Sequence, residues 1–378
     1  EQNGFYGNLP ERLSGLKELE SLPFTTEEDL REHGNRMVLL SQSGIERIRT
    51  EKTSGTTGGA KRVYYSAADN ERTVSFFAAG LSELVHPGEK TMICMPFSGP
   101  GGLGELIAEA VRRLGAYPIA AGVRKTYGEL LQLLWQEGPE TFVGMPVPLL
   151  SLLRMGPDTS LVRALVSADA CPETVREEIE KRLGSKLYPH YGSRETGLGG
   201  AVTCPAFSGM HLRENDVIAE IVDSEGHSLS EGEWGELVIT TIQAEAMPLI
   251  RYRTGDYTRI MPGRCPCGSA LVRLDSVTRM RKGENGERSG QDDRQIQAQK
   301  SLRQPPLMSD IDNEAFRIPE LIDYRASFVD GTMYLEGYVN RSDGVFPESL
   351  CGFPTIWNLK MVALGDSPCY GAKRSLRL

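Results

Sequence analysis

Apolar positions recur at helical spacing over Leu103 to Leu114 and Tyr127 to Trp135, and both segments are expected as amphipathic helices. Thr91-Met92-Ile93-Cys94-Met95 and Thr141-Phe142-Val143-Gly144-Met145 are short apolar runs instead, the pattern of buried strands. Segments of the two kinds alternate through the first two thirds of the chain, which implies an α/β layer architecture. Pro172 followed by Glu173 opens a further helix, because proline and acidic residues suit a helix N-terminus. From Asp216 onward the pattern is strand-rich, with Val217 to Val222 and Glu236 to Thr241 separated by polar turn residues.

Lys282 to Pro306 is nearly devoid of large apolar residues and cannot bury much surface, so it is expected as a polar linker or loop. Beyond it, Leu321 to Val329 and Thr332 to Val339 flank Asp330-Gly331, a strong hairpin signal. The expected division is therefore a large domain over 1–281, the linker over 282–306, and a small, shortened α+β C-terminal domain over 307–378. No internal repeat is present.

The chain's 378 residues exceed what one hydrophobic core usually supports, in keeping with this division. A formal net charge of -9 argues against a general nucleic-acid binder, whose affinity rests on many Lys and Arg contacts to phosphates. Any nucleotide site needs local positive charge instead. No apolar run reaches the roughly 18 residues of a membrane helix, and Glu1-Gln2-Asn3-Gly4 lacks the basic-then-apolar start of a secretory signal. Seven scattered cysteines in so long a chain suit a reducing compartment. Cytoplasmic location without membrane contact is the expectation.

The chemistry is most legible in Thr53-Ser54-Gly55-Thr56-Thr57-Gly58-Gly59-Ala60-Lys61. Glycine lets backbone N–H groups approach oxygens closely, Ser and Thr add hydroxyl donors, and the lysine adds a cation, so the run reads as an ATP phosphate clamp. A Walker A loop wants glycine before its lysine and Ser or Thr after it, and here those places hold Ala60 and Arg62. The β-branched and aromatic stretch Arg62-Val63-Tyr64-Tyr65-Ser66 leads the loop into a strand. Taken alone, the run is equally a flexible turn.

Two further blocks follow in order: Tyr191-Gly192-Ser193-Arg194-Glu195-Thr196-Gly197, then Gly235-Glu236-Leu237-Val238-Ile239-Thr240 leading to Pro248-Leu249-Ile250-Arg251-Tyr252-Arg253-Thr254-Gly255-Asp256. Together the three resemble the adenylate-forming (AMP-binding) ligases, most closely the phenylacetate-CoA ligase family, over roughly residues 5 to 280. The resemblance implies a large multi-layered N-terminal domain with a small C-terminal one. It also implies activation of an aryl or short acyl carboxylic acid by ATP and Mg2+ as the acyl-adenylate, with transfer to coenzyme A. Transfer to an amine, a hydroxyl or a carrier protein is the alternative, as is a degenerate nucleotide-binding module. Oligomeric state is open, and a homodimer is allowed.

By resemblance, Thr53 through Gly58 and Lys61 hold the β- and γ-phosphates, Tyr191 and Gly192 lie along the adenine, Glu195 ligates Mg2+, and Asp256 accepts from the ribose hydroxyls. Ala168 and Asp169 stand where the family has a small-small-acid turn beside the adenine. Arg279 matches a hinge arginine, although Thr278 replaces the family's glycine, and Lys373 matches a late catalytic lysine that meets negative charge during adenylation. The bland readings are a solvated acid for Glu195, a core aromatic for Tyr191, a turn former for Asp256 and solvated cations for Arg279 and Lys373. The acid pocket would be walled near Phe97-Ser98-Gly99-Pro100, Val143-Gly144-Met145-Pro146 and Gly192.

Cys204, His211, Cys265 and Cys267 are a last constellation, since three thiols and an imidazole suit tetrahedral Zn2+. Related ligases carry similar Gly-Met/Leu-His and Cys-Pro-Cys-Gly segments. Free buried thiols are the alternative.

Overall fold

A computed structural model describes residues 5–7, 9–10, 12–51, 60–280, 304–341, 343–363 and 374–377. They form two compact units, each drawn from separate stretches of chain. The first takes in the described residues within Glu1–Gly80, Ser98–Leu106 and His190–Gly290, and the second those within Leu81–Phe97, Ile107–Pro189 and Gln291–Leu378.

In the first unit, α1 (Leu16–Leu19) precedes α2 (Glu27–His33). Thr26 starts α2 through a reciprocal cap, its hydroxyl accepting from Asp29 N at 3.2 Å while the Asp29 carboxylate accepts from Thr26 N at 2.8 Å. The strands β1 (Arg47–Glu51) and β2 (Lys61–Tyr65) pair antiparallel, with Arg47 opposite Tyr65 and Glu51 opposite Lys61. The strand expected after the glycine and threonine run is therefore present, and Lys61 is its first residue. Helix α3 (Ala67–Leu81) follows, and α4 (Leu103–Arg113) begins in this unit.

The last two residues of β7 (Tyr188–Tyr191) pair antiparallel with β8 (Ala201–Thr203), which pairs with β9 (Met210–Leu212) and that with β13 (Arg273–Leu274). A second antiparallel sheet runs β10 (Val217–Val222), β11 (Gly235–Thr241), β12 (Tyr252–Thr258), β14 (Thr278–Arg279). Its inner face packs Ile221, Leu237 and Ile239 with Leu30 and Val63. The β11–β12 register shifts between Glu236 and Val238, where Gly255 sits at φ 68. Only glycine adopts that backbone without strain, and the resulting bulge re-aims the residue beside it, Asp256.

In the second unit a parallel sheet has the order β4 (Tyr117–Ala120), β3 (Lys90–Ile93), β5 (Thr141–Gly144), β6 (Arg163–Val166), then the start of β7. The helices α5 (Tyr127–Glu137), α6 (Pro146–Met155) and α7 (Glu173–Leu183) make the crossovers. All four residues of β5 are buried, which explains its unbroken apolar run. After α8 (Met308–Ala315), β15 (Leu321–Val329) and β16 (Thr332–Val339) form the expected hairpin, with Asp330 and Gly331 at φ 48 and 77 as a two-residue turn needs. The strand β18 (Phe353–Met361) runs parallel to β16, and β17 (Ser349–Leu350) pairs with it antiparallel.

One core joins α6 and α7 to this C-terminal sheet through Leu149, Leu153 and Ile179 against Phe316, Ile322 and Leu335. Arg154 pins the connection: its guanidinium donates to the carbonyls of Phe316 at 2.8 Å, Ile318 at 2.9 Å and Leu321, and pairs with Glu178 at 3.0 Å. The fold class is α/β, as expected. Residues 281–303 and Lys373 lie outside the described residues.

Candidate active site

Lys61 enters the first unit as the opening residue of β2, and its side chain turns inward. Its Nζ lies 2.8 Å from Glu195 Oε1 and 3.7 Å from Glu27 Oε1. Lys61 and Glu195 are each only 7% exposed, so the pair sits in a poorly solvated place. The turn carrying Glu195 is held from several sides. Ser193 N donates to Thr196 Oγ1 at 2.9 Å, Thr73 Oγ1 donates to the Gly197 carbonyl at 2.8 Å, and the buried Tyr65 hydroxyl donates to the Arg194 carbonyl. Gly192 is required for closeness, because a Cβ there would stand 2.1 Å from the Leu198 carbonyl oxygen.

The bulge in β12 delivers Asp256 to Tyr191, whose hydroxyl donates to Asp256 Oδ2 at 2.7 Å. Arg279 Nη1 takes the other oxygen at 3.1 Å and also donates to the Thr254 carbonyl at 2.6 Å. Burial and then the Asp256 charge hold the Tyr191 phenol well above its ordinary pKa, so it stays a proton donor. The Tyr252 hydroxyl lies 3.5 Å from Glu195 Oε1, on the same strand as Asp256. Two charged groups thus form within one unit: Lys61 with Glu195 and Glu27, and Tyr191 with Asp256 and Arg279.

Ala168 and Asp169 belong to the second unit and follow β6. Ala168 takes φ 70, a left-handed backbone that costs a residue with a Cβ about 1 kcal/mol or more. Asp169 Oδ1 accepts from Ala170 N at 3.0 Å. Thr53 through Gly58 and Lys373 lie outside the described residues. Sequence reading missed Glu27, Tyr65 and Tyr252. Tyr65 and Tyr252 stand inside or beside the quoted motifs, whereas nothing in the sequence ties Glu27 to Lys61.

Cys204, just after β8, His211 on β9 and the turn bearing Cys265 and Cys267 converge, with all four ligand atoms within 4.8 Å of one another. Cys204 and Cys265 Sγ are 3.6 Å apart, and Cys267 Sγ is 3.5 Å from His211 Nε2. Zinc bonds of about 2.3 Å to sulfur and about 2.0 Å to nitrogen set neighbouring ligand atoms of a tetrahedron roughly 3.5 to 3.8 Å apart, so the donor set fits one Zn2+ in chemistry and spacing. Burial lowers the His211 pKa, favouring the neutral imidazole a metal needs, and raises that of the Cys204 thiol to about 11. Glu195, by contrast, is not part of a group of three or more such ligands among the described residues. A lone carboxylate suits Mg2+, which keeps most of its shell as water and substrate phosphate oxygens.

Residues 53–245 match the family model for AMP-binding enzymes. The chain is 30% identical over 280 residues to a phenylacetate-coenzyme A ligase of Thermus thermophilus, aligning 71% of this chain with 62% of that protein. It is 31% identical over 290 residues to the Escherichia coli protein of that description, aligning 72% of this chain with 64% of that one. The match thus spans less than two thirds of the length of these relatives. The fold resembles a crystal structure of 2-hydroxyisobutyryl-CoA ligase in complex with 2-HIB-AMP, with a TM-score of 0.75 at 19% identity over 98% of this chain and 82% of that one. Lys61, Gly192 and Glu195 all fall inside the matched segment, and the chain belongs to the AMP-binding enzyme family.

Proposed function

We propose that this chain uses ATP to activate a carboxylic acid as its acyl-adenylate, releasing pyrophosphate, and then passes the acyl group to coenzyme A. The observation that carries this reading is the buried Lys61–Glu195 pair at 2.8 Å. A polyphosphate bound with a divalent cation brings both signs of charge, and this pair offers the opposite of each at one point. An aryl acid such as phenylacetate is the substrate class that the relatives' names favour.

Carboxylates are weak nucleophiles toward phosphorus, so the step depends on alignment and on neutralising charge rather than on a covalent enzyme intermediate. A carboxylate oxygen forms a bond to the α-phosphorus while the bond to the bridging oxygen breaks and pyrophosphate leaves. Lys61 would offset charge on the departing phosphates. Glu195 would hold Mg2+, whose charge neutralises polyphosphate oxygens when bound. Asp256, kept in place by Tyr191 and Arg279, would accept from the ribose hydroxyls, and Tyr191 and Gly192 would flank the base. Ala168 and Asp169 are assigned beside the base, and Thr53 through Gly58 around the phosphates. We assign Lys373 to the adenylation step alone, since its charge suits the crowded α-phosphate and not a neutral acyl carbon.

The same reading takes 307–378 as the small domain of such a ligase, and the four-ligand cluster as a closed structural Zn2+ site. Among the described residues no helix is long and apolar enough to cross a membrane. None of the six described cysteines is in a disulfide, which supports a reducing cytoplasmic setting. Trapping the adenylate as a hydroxamate with hydroxylamine tests the first step, and omitting coenzyme A should stop only the second. Hydroxamate formation without any added acid, or none with any acid, would overturn the assignment.

A further inference from the structure

Two arginines of β1, Arg47 and Arg49, make no direct ion pair among the described residues, in a chain whose formal charge is -9. Arg47 and Arg49 lie two residues apart on a strand, hence on one face. Arg47 donates to the Ser98 carbonyl at 3.0 Å, the Pro100 carbonyl at 3.3 Å and Ser98 Oγ at 2.6 Å. Arg49 Nη2 donates to the Gly101 carbonyl at 2.5 Å and Asn70 Oδ1 at 3.3 Å, while its guanidinium lies 3.9 Å above the centre of the Tyr65 ring. Every one of these acceptors is neutral.

Buried Arg273 likewise bonds only neutral oxygens, of Ser208, Pro262 and Gly263, whereas three other buried arginines carry a carboxylate partner. Arg154, Arg213 and Arg251 pair with Glu178, Asp216 and Glu220 at 3.0, 2.7 and 3.0 Å. Among the described residues no carboxylate comes within ion-pair distance of Arg47 or Arg49, and Arg49 Nη1 and Arg47 Nε are buried with no acceptor. Removing a cation from water without a counter-charge is costly, and Arg49 shows it: burial, and then the neighbouring Arg47 and Arg194, draw its pKa below the ordinary value. The pair adjoins both halves of the proposed chemistry. Arg47 touches Ser98 and Pro100 of the stretch expected to wall the acid pocket, Arg49 touches Gly101 just beyond it, and Tyr65 beneath Arg49 holds the carbonyl of Arg194, next to Glu195.

We infer that Arg47 and Arg49 form an oxyanion subsite that takes a carboxylate or phosphate group of one of the substrates. This rests on the proposed acid-activating function and assigns it a recognition element outside the glycine and threonine loop. A guanidinium already fixed by stacking and by two hydrogen bonds loses little freedom on binding, and its Nη1 has no acceptor to give up.

Titration calorimetry on the purified chain tests it with three probes: inorganic pyrophosphate; phenylacetate against its neutral twin phenylacetamide; and coenzyme A against 3′-dephospho-coenzyme A. Arg49→Gln should weaken one oxyanion probe at least tenfold and leave the others and the melting temperature unchanged, with partial recovery in Arg49→Lys. The probe that weakens names the source of the oxyanion. Should Arg49→Gln melt early, Arg47→Gln supplies the same comparison with the Tyr65 stack intact. Wild-type affinity for all three probes in both variants, uniform weakening of all three, or no binding of any probe by wild type would each overturn the inference. Pyrophosphate exchange by the wild type separates the two claims. Exchange with unaltered binding in the variants defeats the subsite alone, whereas absent exchange with a lost oxyanion defeats the proposed function and leaves the subsite.

Discussion

Lys61 Nζ lies 2.8 Å from Glu195 Oε1, and both residues are 7% exposed. Each charge is the other's nearest counter-charge, so removing Lys61 leaves the Glu195 carboxylate buried without it, while Lys61 without Glu195 keeps the longer contact to Glu27 at 3.7 Å. Lys61→Ala and Glu195→Gln should each lower stability to urea by about 3 kcal/mol. The double variant Lys61→Met with Glu195→Gln should recover most of that loss and still show no adenylation. Recovery of activity with stability would make the pair a structural strut only.

His190 should make the protein acid-labile. Its ring is 9% exposed and lies 5.9 and 5.6 Å from the Phe76 and Phe77 rings, and burial lowers its pKa from 6.5 to about 4. The unfolded imidazole takes a proton as pH falls through 6.5 while the folded one resists until about 4. This contribution to stability is thus complete above pH 6.5 and lost progressively down to about 4. At pH 5 the loss should be about 2 kcal/mol, and His190→Gln should flatten the urea midpoint between pH 7 and 5. An unchanged slope would point to other groups.

Zinc should be retained by protein purified without added metal, at about one ion per chain by elemental analysis. Cys265→Ser should lose it together with melting temperature, because a closed four-ligand site ties the Cys204–His211 segment to the 265–267 turn. Metal-free protein as stable as the native form would leave these as ordinary thiols.

Arg154→Met should destabilise by about 3 kcal/mol despite its similar apolar bulk, since the carbonyls of Phe316, Ile318 and Leu321 would be left buried without their donor. Faster exchange of amides in β15 and β16 than in β3 and β5 would locate the loss at the C-terminal sheet. Equal protection in both sheets would contradict the pinning role.

Much of the fold was legible because one-sided burial leaves a period in the sequence. The helix expected from Leu103 ends at Arg113, and the hairpin over Asp330-Gly331 pairs Val329 with Thr332. The two-residue strands β13 and β14 carry no period and were invisible, as was the register shift that aims Asp256. Motif content drew attention to Lys61, Tyr191, Glu195, Asp256 and Arg279, and chain folding supplied what no motif states: that Glu27 and Tyr252 close on the first pair. Ala168 at φ 70 was hidden for a simpler reason, since alanine gives no local hint of a left-handed backbone. That Arg47 and Arg49 make no ion pair among the described residues is likewise a fact of neighbours rather than of sequence.

Acid-dependent exchange of labelled pyrophosphate into ATP tests the central claim most directly. Across a panel of aryl and short acyl acids the wild-type chain should catalyse exchange with at least one, require Mg2+, and lose the reaction in Glu195→Gln. ATP binding with no exchange for any acid, or exchange that persists undiminished in Glu195→Gln, would contradict it.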